Sequence, residues 1–232
     1  IQDTADASQT IEFDHDTLKI VTPNFELPPG GLGIRWPDPP NDQEARLHRY
    51  KLRAAAAFAQ ANGLDRIVID GARAQLGLVT TGKSHADTLQ ALDDMGISKQ
   101  RAGEIGIRLF KVGMSWPLEP EGIRNFADGL KEILVIEEKR GVIEAQIKEQ
   151  LFDWQSKNKP IIVGKFDEQG DPLLPSAGEL TAATVATVLG NRLGRYYASP
   201  EIEQRLQFLS YKNDSVESLA GNDARRPHFC SG

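Results

Sequence analysis

A chain of 232 residues with 40% hydrophobic and 26% charged side chains has the composition of a soluble globular protein, long enough for one large domain or two small ones. Its 27 Lys+Arg against 33 Asp+Glu give a net charge of −6, which excludes the basic footprint of a general nucleic-acid binder. The one cysteine, Cys230, forbids an intrachain disulfide and points to a reducing cytoplasm, and with no run near the ~20 apolar residues of a membrane span and no signal-peptide start at Ile1-Gln2-Asp3, neither membrane nor export is expected.

Residues 1–50 hold nine acidic side chains, four basic ones and six of the thirteen prolines, a skew that marks a boundary. Pro28-Pro29-Gly30-Gly31 and Pro37-Asp38-Pro39-Pro40 interrupt any helix or central strand. Residues 1–40 therefore read as an extended connector from a preceding domain, with one strand around Leu18-Lys19-Ile20-Val21. Trp36 reads as a ring pinning this connector to the domain rather than as a platform for a ligand. Asn41 followed by Glu44 has the spacing of an N-cap with a reciprocal carboxylate, and Asn62-Gly63 stops the run, predicting a helix near 42–61. Its His48, Arg49 and Arg53 read as a solvated face.

From residue 64, short β-branched runs alternate with amphipathic segments. Arg66–Ile69 and Gln75–Thr80 read as strands; Ser84, with Asp87 three residues on, caps a helix that Gly96 ends. Ile107–Val112 is the next strand. Pro120 then opens a helix whose Ile123, Phe126, Ala127 and Leu130 repeat on one face. Ile133–Ile136 is the most apolar strand, Ile143, Ile147, Leu151 and Trp154 line the following helix, Pro160–Val163 is a further strand, and Val185, Val188 and Leu189 mark a helix near 181–193. This alternation predicts an α/β domain over 41–195, a mostly parallel sheet with helices on both faces. Residues 196–232 read as a second connector, with a helix near 200–209.

Gly77-Leu78-Val79-Thr80-Thr81-Gly82-Lys83-Ser84 formally satisfies the phosphate-loop pattern G-x-x-x-x-G-K-[ST], and Ile133–Glu138 imitates the strand whose carboxylate holds Mg²⁺. A nucleotide hydrolase using Lys83 and Ser84 is thus the alternative reading. Against it, Leu78-Val79-Thr80 suits a strand interior, and Gly71–Ala74 separates the previous strand from Gly77. What survives is a weak anion site at Thr81, Gly82, Lys83 and Ser84, between a strand's carboxyl end and a helix's amino end. His15, His48, His85 and His228 show no metal-ligand spacing with one another or with Cys230. His85 reads as a surface turn histidine, and Glu137 and Glu138 as partners of Lys139 and Arg140. No catalytic residue is assigned.

Several stretches carry a family resemblance: Leu27–Pro40, Gln43–Leu47, Gly77–Ser84, Lys111–Pro120, Ile136–Arg140 and Arg226–Gly232, spread in order across nearly the whole chain. Together they resemble one region of the indolepyruvate:ferredoxin oxidoreductases, members of the 2-oxoacid:ferredoxin oxidoreductase group. The same order of parts is similar to the carboxyl-terminal domain of transketolase-type thiamine enzymes. That implies a three-layer α/β/α domain, mostly parallel with one antiparallel edge strand.

The resemblance also implies an enzyme, whole only with its other domains, that oxidatively decarboxylates aryl 2-oxo acids such as indolepyruvate to acyl-CoA and reduces ferredoxin. Its cofactors are thiamine diphosphate, Mg²⁺ and 4Fe–4S clusters. The expected partners are flanking thiamine-diphosphate domains, ferredoxin, coenzyme A and further copies of the chain. The pyrimidine-binding part is expected before Ile1 and the diphosphate-binding part after Gly232, so the fragment itself is expected to bind no cofactor and to be inactive. Phe229-Cys230-Ser231-Gly232 resembles the start of a C-x-x-C segment, which makes Cys230 a candidate iron–sulfur ligand in the full protein only.

Overall fold

A computed structural model describes residues 19–156 and 159–220. After an irregular stretch over 19–39 come helix α1 (Pro40–Arg46), a π-helical turn (Leu47–Lys51) and α2 (Leu52–Ala61). Then follow β1 (Arg66–Ile69), β2 (Leu76–Thr81), α3 (Gly82–Asp94), α4 (Lys99–Glu104), β3 (Ile107–Val112), α5 (Pro120–Ala127) and β4 (Glu132–Ile136). The remainder is α6 (Ile143–Phe152), β5 (Ile161–Val163), α7 (Ala182–Leu193) and α8 (Pro200–Ala220).

The five strands lie in the order β1-β3-β2-β4-β5, with β1 antiparallel to β3 and every other pair parallel. Leu78 sits between Leu109 and Leu134, so three leucines cross the sheet side by side. Because β2 and β4 are covered on both faces, they are apolar nearly throughout instead of alternating. On one face Leu76, Leu109 and Ile136 meet Leu92 of α3 and Met95 just past its end, Ala102 of α4, and Val185 and Leu189 of α7. On the other, Val79, Phe110 and Ile133 meet Ile123 and Phe126 of α5 and Ile147 of α6. This is the expected three-layer α/β/α arrangement with its antiparallel edge.

Several local expectations are corrected. No strand forms at 19–21, and Leu18 lies outside the described residues. Trp36 does not pin the connector to the domain: the residue is 88% exposed. The first helix starts at Pro40 with no side-chain cap, so Asn41 is already inside it. Trp154 lies past the end of α6 and reaches the same apolar cluster from the loop. The helix placed near 200–209 continues to Ala220, and its Ile202, Leu206 and Leu209 pack on the core. The short α4 was not foreseen.

Candidate functional site

The carboxyl ends of β2 to β5 open along one edge of the sheet, where α/β folds hold ligands. At the end of β2, Thr81 is extended and its hydroxyl donates to the Val112 carbonyl at 3.1 Å, while Gly82, at φ +49°, starts α3. Ser84 is therefore not the cap; it lies buried within the first turn. Lys83 Nζ is 3.0 Å from each of three acceptors, Asp87 Oδ2, Glu179 Oε1 and the Leu180 carbonyl. Burial opposes its charge, but the hydrogen bonds to Glu179 and Asp87 prevail and hold the ammonium's pKa above the usual lysine value.

Gly77 sits in the middle of β2, where a Cβ would lie 2.5 Å from Leu130 Cδ1 and 2.7 Å from Phe126 Cζ. It is a packing glycine beneath α5, not the first turn of a loop around phosphate. With Lys83 engaged and Gly77 inside a strand, the phosphate-loop alternative does not hold.

His85 is no surface turn. It lies half-buried in α3, with Nδ1 2.9 Å from the Thr80 hydroxyl, which also lies 3.2 Å from the Phe110 carbonyl. Burial lowers its pKa, and the charges of Lys111, Lys99 and Arg66 lower it further.

Beyond β4, Glu137 is buried and turned away from Lys139 and Arg140. Its carboxylate accepts the N–H groups of Val142, Ile143 and Glu144, each at 2.9 Å, and so serves the first turn of α6. Of the pairs expected here, Glu138 with Lys139 forms, at 3.9 Å. Two residues overlooked in the sequence complete this corner. Lys165 is buried just beyond β5, its Nζ donating to the carbonyls of Glu137 at 2.5 Å and Pro175 at 3.0 Å. Its backbone N–H donates to Glu144 Oε2 at 2.9 Å, and Glu144 Oε1 pairs with Lys148 at 2.6 Å. Burial lowers the Lys165 pKa against the pull of Glu137, Glu144 and Glu138. The signal that could have found Lys165 is its place directly after an apolar strand.

The opposite edge carries a brace. Fully buried Glu132, at the start of β4, accepts from Arg192 Nε at 2.5 Å and from the Tyr196 hydroxyl at 2.9 Å. Glu168 joins Arg192 at 2.8 Å and Arg195 at 2.5 Å. Those two guanidinium hydrogen bonds, Arg195's first, hold the Glu168 pKa down at about 2.

The indolepyruvate ferredoxin oxidoreductase middle-domain model matches residues 65–218, two thirds of the chain and all of the sheet. The chain belongs to that family.

Similar curated proteins of this oxidoreductase family include the indolepyruvate oxidoreductase subunit IorA of Pyrococcus abyssi, 26% identical over 162 residues, which are 69% of this chain and 22% of that protein. IorA of Thermococcus kodakarensis is 26% identical over 121 residues, 52% of this chain and 16% of that protein. The matched segment thus spans about a sixth to a fifth of these relatives. Among solved structures, a 2-oxoglutarate:ferredoxin oxidoreductase from Magnetococcus marinus, with 2-oxoglutarate, coenzyme A and succinyl-CoA bound, aligns over 77% of this chain and 27% of its own at 15% identity and TM-score 0.40. A split-gene transketolase, an inactive β4 tetramer, aligns over 57% and 42% at 19% identity and TM-score 0.39. Within the middle domain, the described residues contain no group of three or more His, Cys, Asp or Glu able to hold a metal ion, and no helix long and apolar enough to cross a membrane. Cys230, His15 and His228 lie outside the described residues.

Proposed function

We propose that this middle domain is a non-catalytic, transketolase carboxyl-terminal-like part of a cytoplasmic, homo-oligomeric oxidoreductase that decarboxylates aryl 2-oxo acids, indolepyruvate among them, to acyl-CoA and passes electrons to ferredoxin. Family membership supports the reaction class. The observation that carries the non-catalytic role is the engagement of the ionisable groups at the carboxyl edge. Glu137 serves α6, Lys83 is held by Asp87 and Glu179, and Lys165 ties two backbone carbonyls together. These side chains set the loops after β2, β4 and β5 in fixed positions, as a support for flanking thiamine-diphosphate domains requires.

When bound in the full enzyme, thiamine diphosphate with Mg²⁺ supplies the nucleophile and electron sink, and 4Fe–4S clusters take single electrons. The described residues do not fit these groups: they contain no group of three or more His, Cys, Asp or Glu able to hold a metal ion, and at the end of β4 Glu137 already accepts three backbone N–H groups. Cys230 is the one cluster ligand this reading assigns to the chain. The anion site at Thr81–Ser84 keeps a single support, the start of α3 without a side-chain cap.

Calorimetric titration of the 232-residue chain with thiamine diphosphate and Mg²⁺ should give no heat beyond dilution. In the enzyme that carries this domain, Lys165→Gln and Lys83→Ala should leave kcat with indolepyruvate within about two-fold once unfolded protein is removed. Saturable cofactor binding by the isolated chain, or a hundred-fold loss of kcat in a folded variant, would overturn the reading. A Mg²⁺-dependent ATPase that Lys83→Ala abolishes would restore the nucleotide hydrolase.

A further inference from the structure

At the end of α3 remote from Lys83, the chain leaving that helix, α4 and the first half of α8 border an open cleft of about 510 Å³. That volume falls within the ~300–1,000 Å³ of small-molecule sites. Its apolar lining follows from local structure. Met95 and Ile97 flank Gly96, whose φ of +75° lets the chain leave α3 in the left-handed conformation, and both side chains are buried in the core. From α8 come Ile202, packed on the same core, and Phe208, which is 62% exposed beside the cleft.

Two guanidinium groups line the same cleft. Arg101 is braced: Nη1 lies 3.3 Å from Glu104 Oε2, Nη2 donates to the Tyr197 hydroxyl at 2.5 Å, and Cζ stands 5.5 Å from the centre of the Tyr197 ring. Arg205 is not. Among the described residues it makes no hydrogen bond or ion pair, although Glu201 sits four residues earlier on α8, the spacing at which glutamate and arginine ordinarily pair. Its side chain lies toward α3 instead, where a Cβ at Gly96 would stand 3.8 Å from Arg205 Nε. The terminal carbonyls of α3 accept nothing from it, so helix capping does not account for this position.

We propose that this cleft binds a hydrophobic monocarboxylate. The planar fork of Arg205 takes the carboxylate, and Arg101 adds a second, pre-positioned positive charge. Phe208 and Ile202 receive the apolar body over Met95 and Ile97. The charge balance selects a single negative charge: the lining carries Arg101 and Arg205 against Glu201, and Glu104 already draws on Arg101, so a phosphate dianion would meet an uncompensated carboxylate. Because the cleft lies at the far end of α3 from Lys83, it is separate from the site at the carboxyl edge.

Titration of the 232-residue chain with 2-naphthoate, followed by calorimetry and by amide chemical shifts, tests this. Binding should saturate one-to-one with a Kd below about 1 mM and shift the amides of Gly96, Ile97 and Ile202. Arg205→Gln removes a charge-assisted hydrogen-bonding group and should weaken binding at least about ten-fold. Position 205 is exposed and its side chain bonds nothing among the described residues, so the variant's thermal melt should match the parent's. The neutral analogue 2-naphthalenemethanol should leave these amides unmoved. No saturable binding, equal affinity of parent and Arg205→Gln, an alcohol that binds as tightly as the acid, or shifts confined to the apolar groove beside Phe58 would each overturn the proposal.

Discussion

Gly77→Ala separates a glycine kept for packing from one kept for phosphate. The added Cβ would stand 2.5 Å from Leu130 Cδ1 and 2.7 Å from Phe126 Cζ, against the ~3.5–4.0 Å at which carbon atoms rest comfortably. Phe126 and Leu130 are themselves buried, so roughly 1 Å of overlap must be relieved by shifting the end of α5 away from the sheet. Overpacking on this scale costs about 1–3 kcal/mol, partly offset by the ~0.5–1 kcal/mol that alanine gains over glycine inside a strand. The net loss should be about 1–2 kcal/mol, lowering Tm by about 2–8 °C in a chain of this size. Urea and thermal melts followed by circular dichroism measure it. A cycle with Leu130→Ala locates it: truncating Leu130 costs about 2–5 kcal/mol alone, and the double variant should be at least about 1 kcal/mol better than the sum. Additivity, or a Gly77→Ala protein as stable as the parent, would refute the packing account.

Glu132→Ala strands the Arg192 guanidinium in the apolar layer and should destabilise the protein by about 3–5 kcal/mol, read from the urea midpoint. Tyr196, its hydroxyl pushed up to about 12 by burial and by the Glu132 carboxylate it bonds, stabilises the fold fully below its unfolded value near 10 and loses that contribution as pH rises toward 12. The stability gap between the parent and Tyr196→Phe should therefore be about 1 kcal/mol at pH 8 and close between pH 10 and 12. Glu168 titrates in the opposite sense: its contribution is present above pH 4.5 and lost as pH falls toward 2, so Glu168→Gln should flatten the acid limb of a stability profile over that interval. Glu137→Ala should remove about 1–2 kcal/mol and speed amide exchange at Val142, Ile143 and Glu144 while leaving the far end of α6 protected.

Much of the sheet was legible because parallel strands buried on both faces leave continuous apolar runs; Ile133–Ile136 and Ile107–Val112 declare themselves without a partner in view. The short α4 escaped notice because six residues with Ala102 and Gly103 as the buried pair carry too little periodicity to register. Strand order depends on pairings far apart in sequence, and no local pattern encodes that β2 takes the centre. At the candidate site, residue types were visible and their obligations were not. Asp87 was matched to Ser84 across a capping spacing, yet it answers Lys83 one turn away. Glu137 has basic residues adjacent in sequence, but the exposed N–H groups of α6 are a stronger claim on a buried carboxylate than solvated Lys139 and Arg140. Gly77 matched a loop motif letter for letter, while its actual constraint, the ring of Phe126 pressing on β2, comes from a helix about fifty residues later.

The brace at the start of β4 also bears on which wrong structures the chain avoids. Every residue of β4 is buried, so a slip of its pairing would still place oily side chains on both faces, and hydrophobicity alone barely distinguishes the correct alignment from its neighbours. Glu132 does distinguish them. Its carboxylate finds Arg192 and Tyr196 in one alignment, and any other would leave a bare negative charge facing apolar side chains. A single ionised group thus makes misaligned sheets the expensive outcome, and acts as a proofreading mark for the one strand whose apolar pattern cannot check itself.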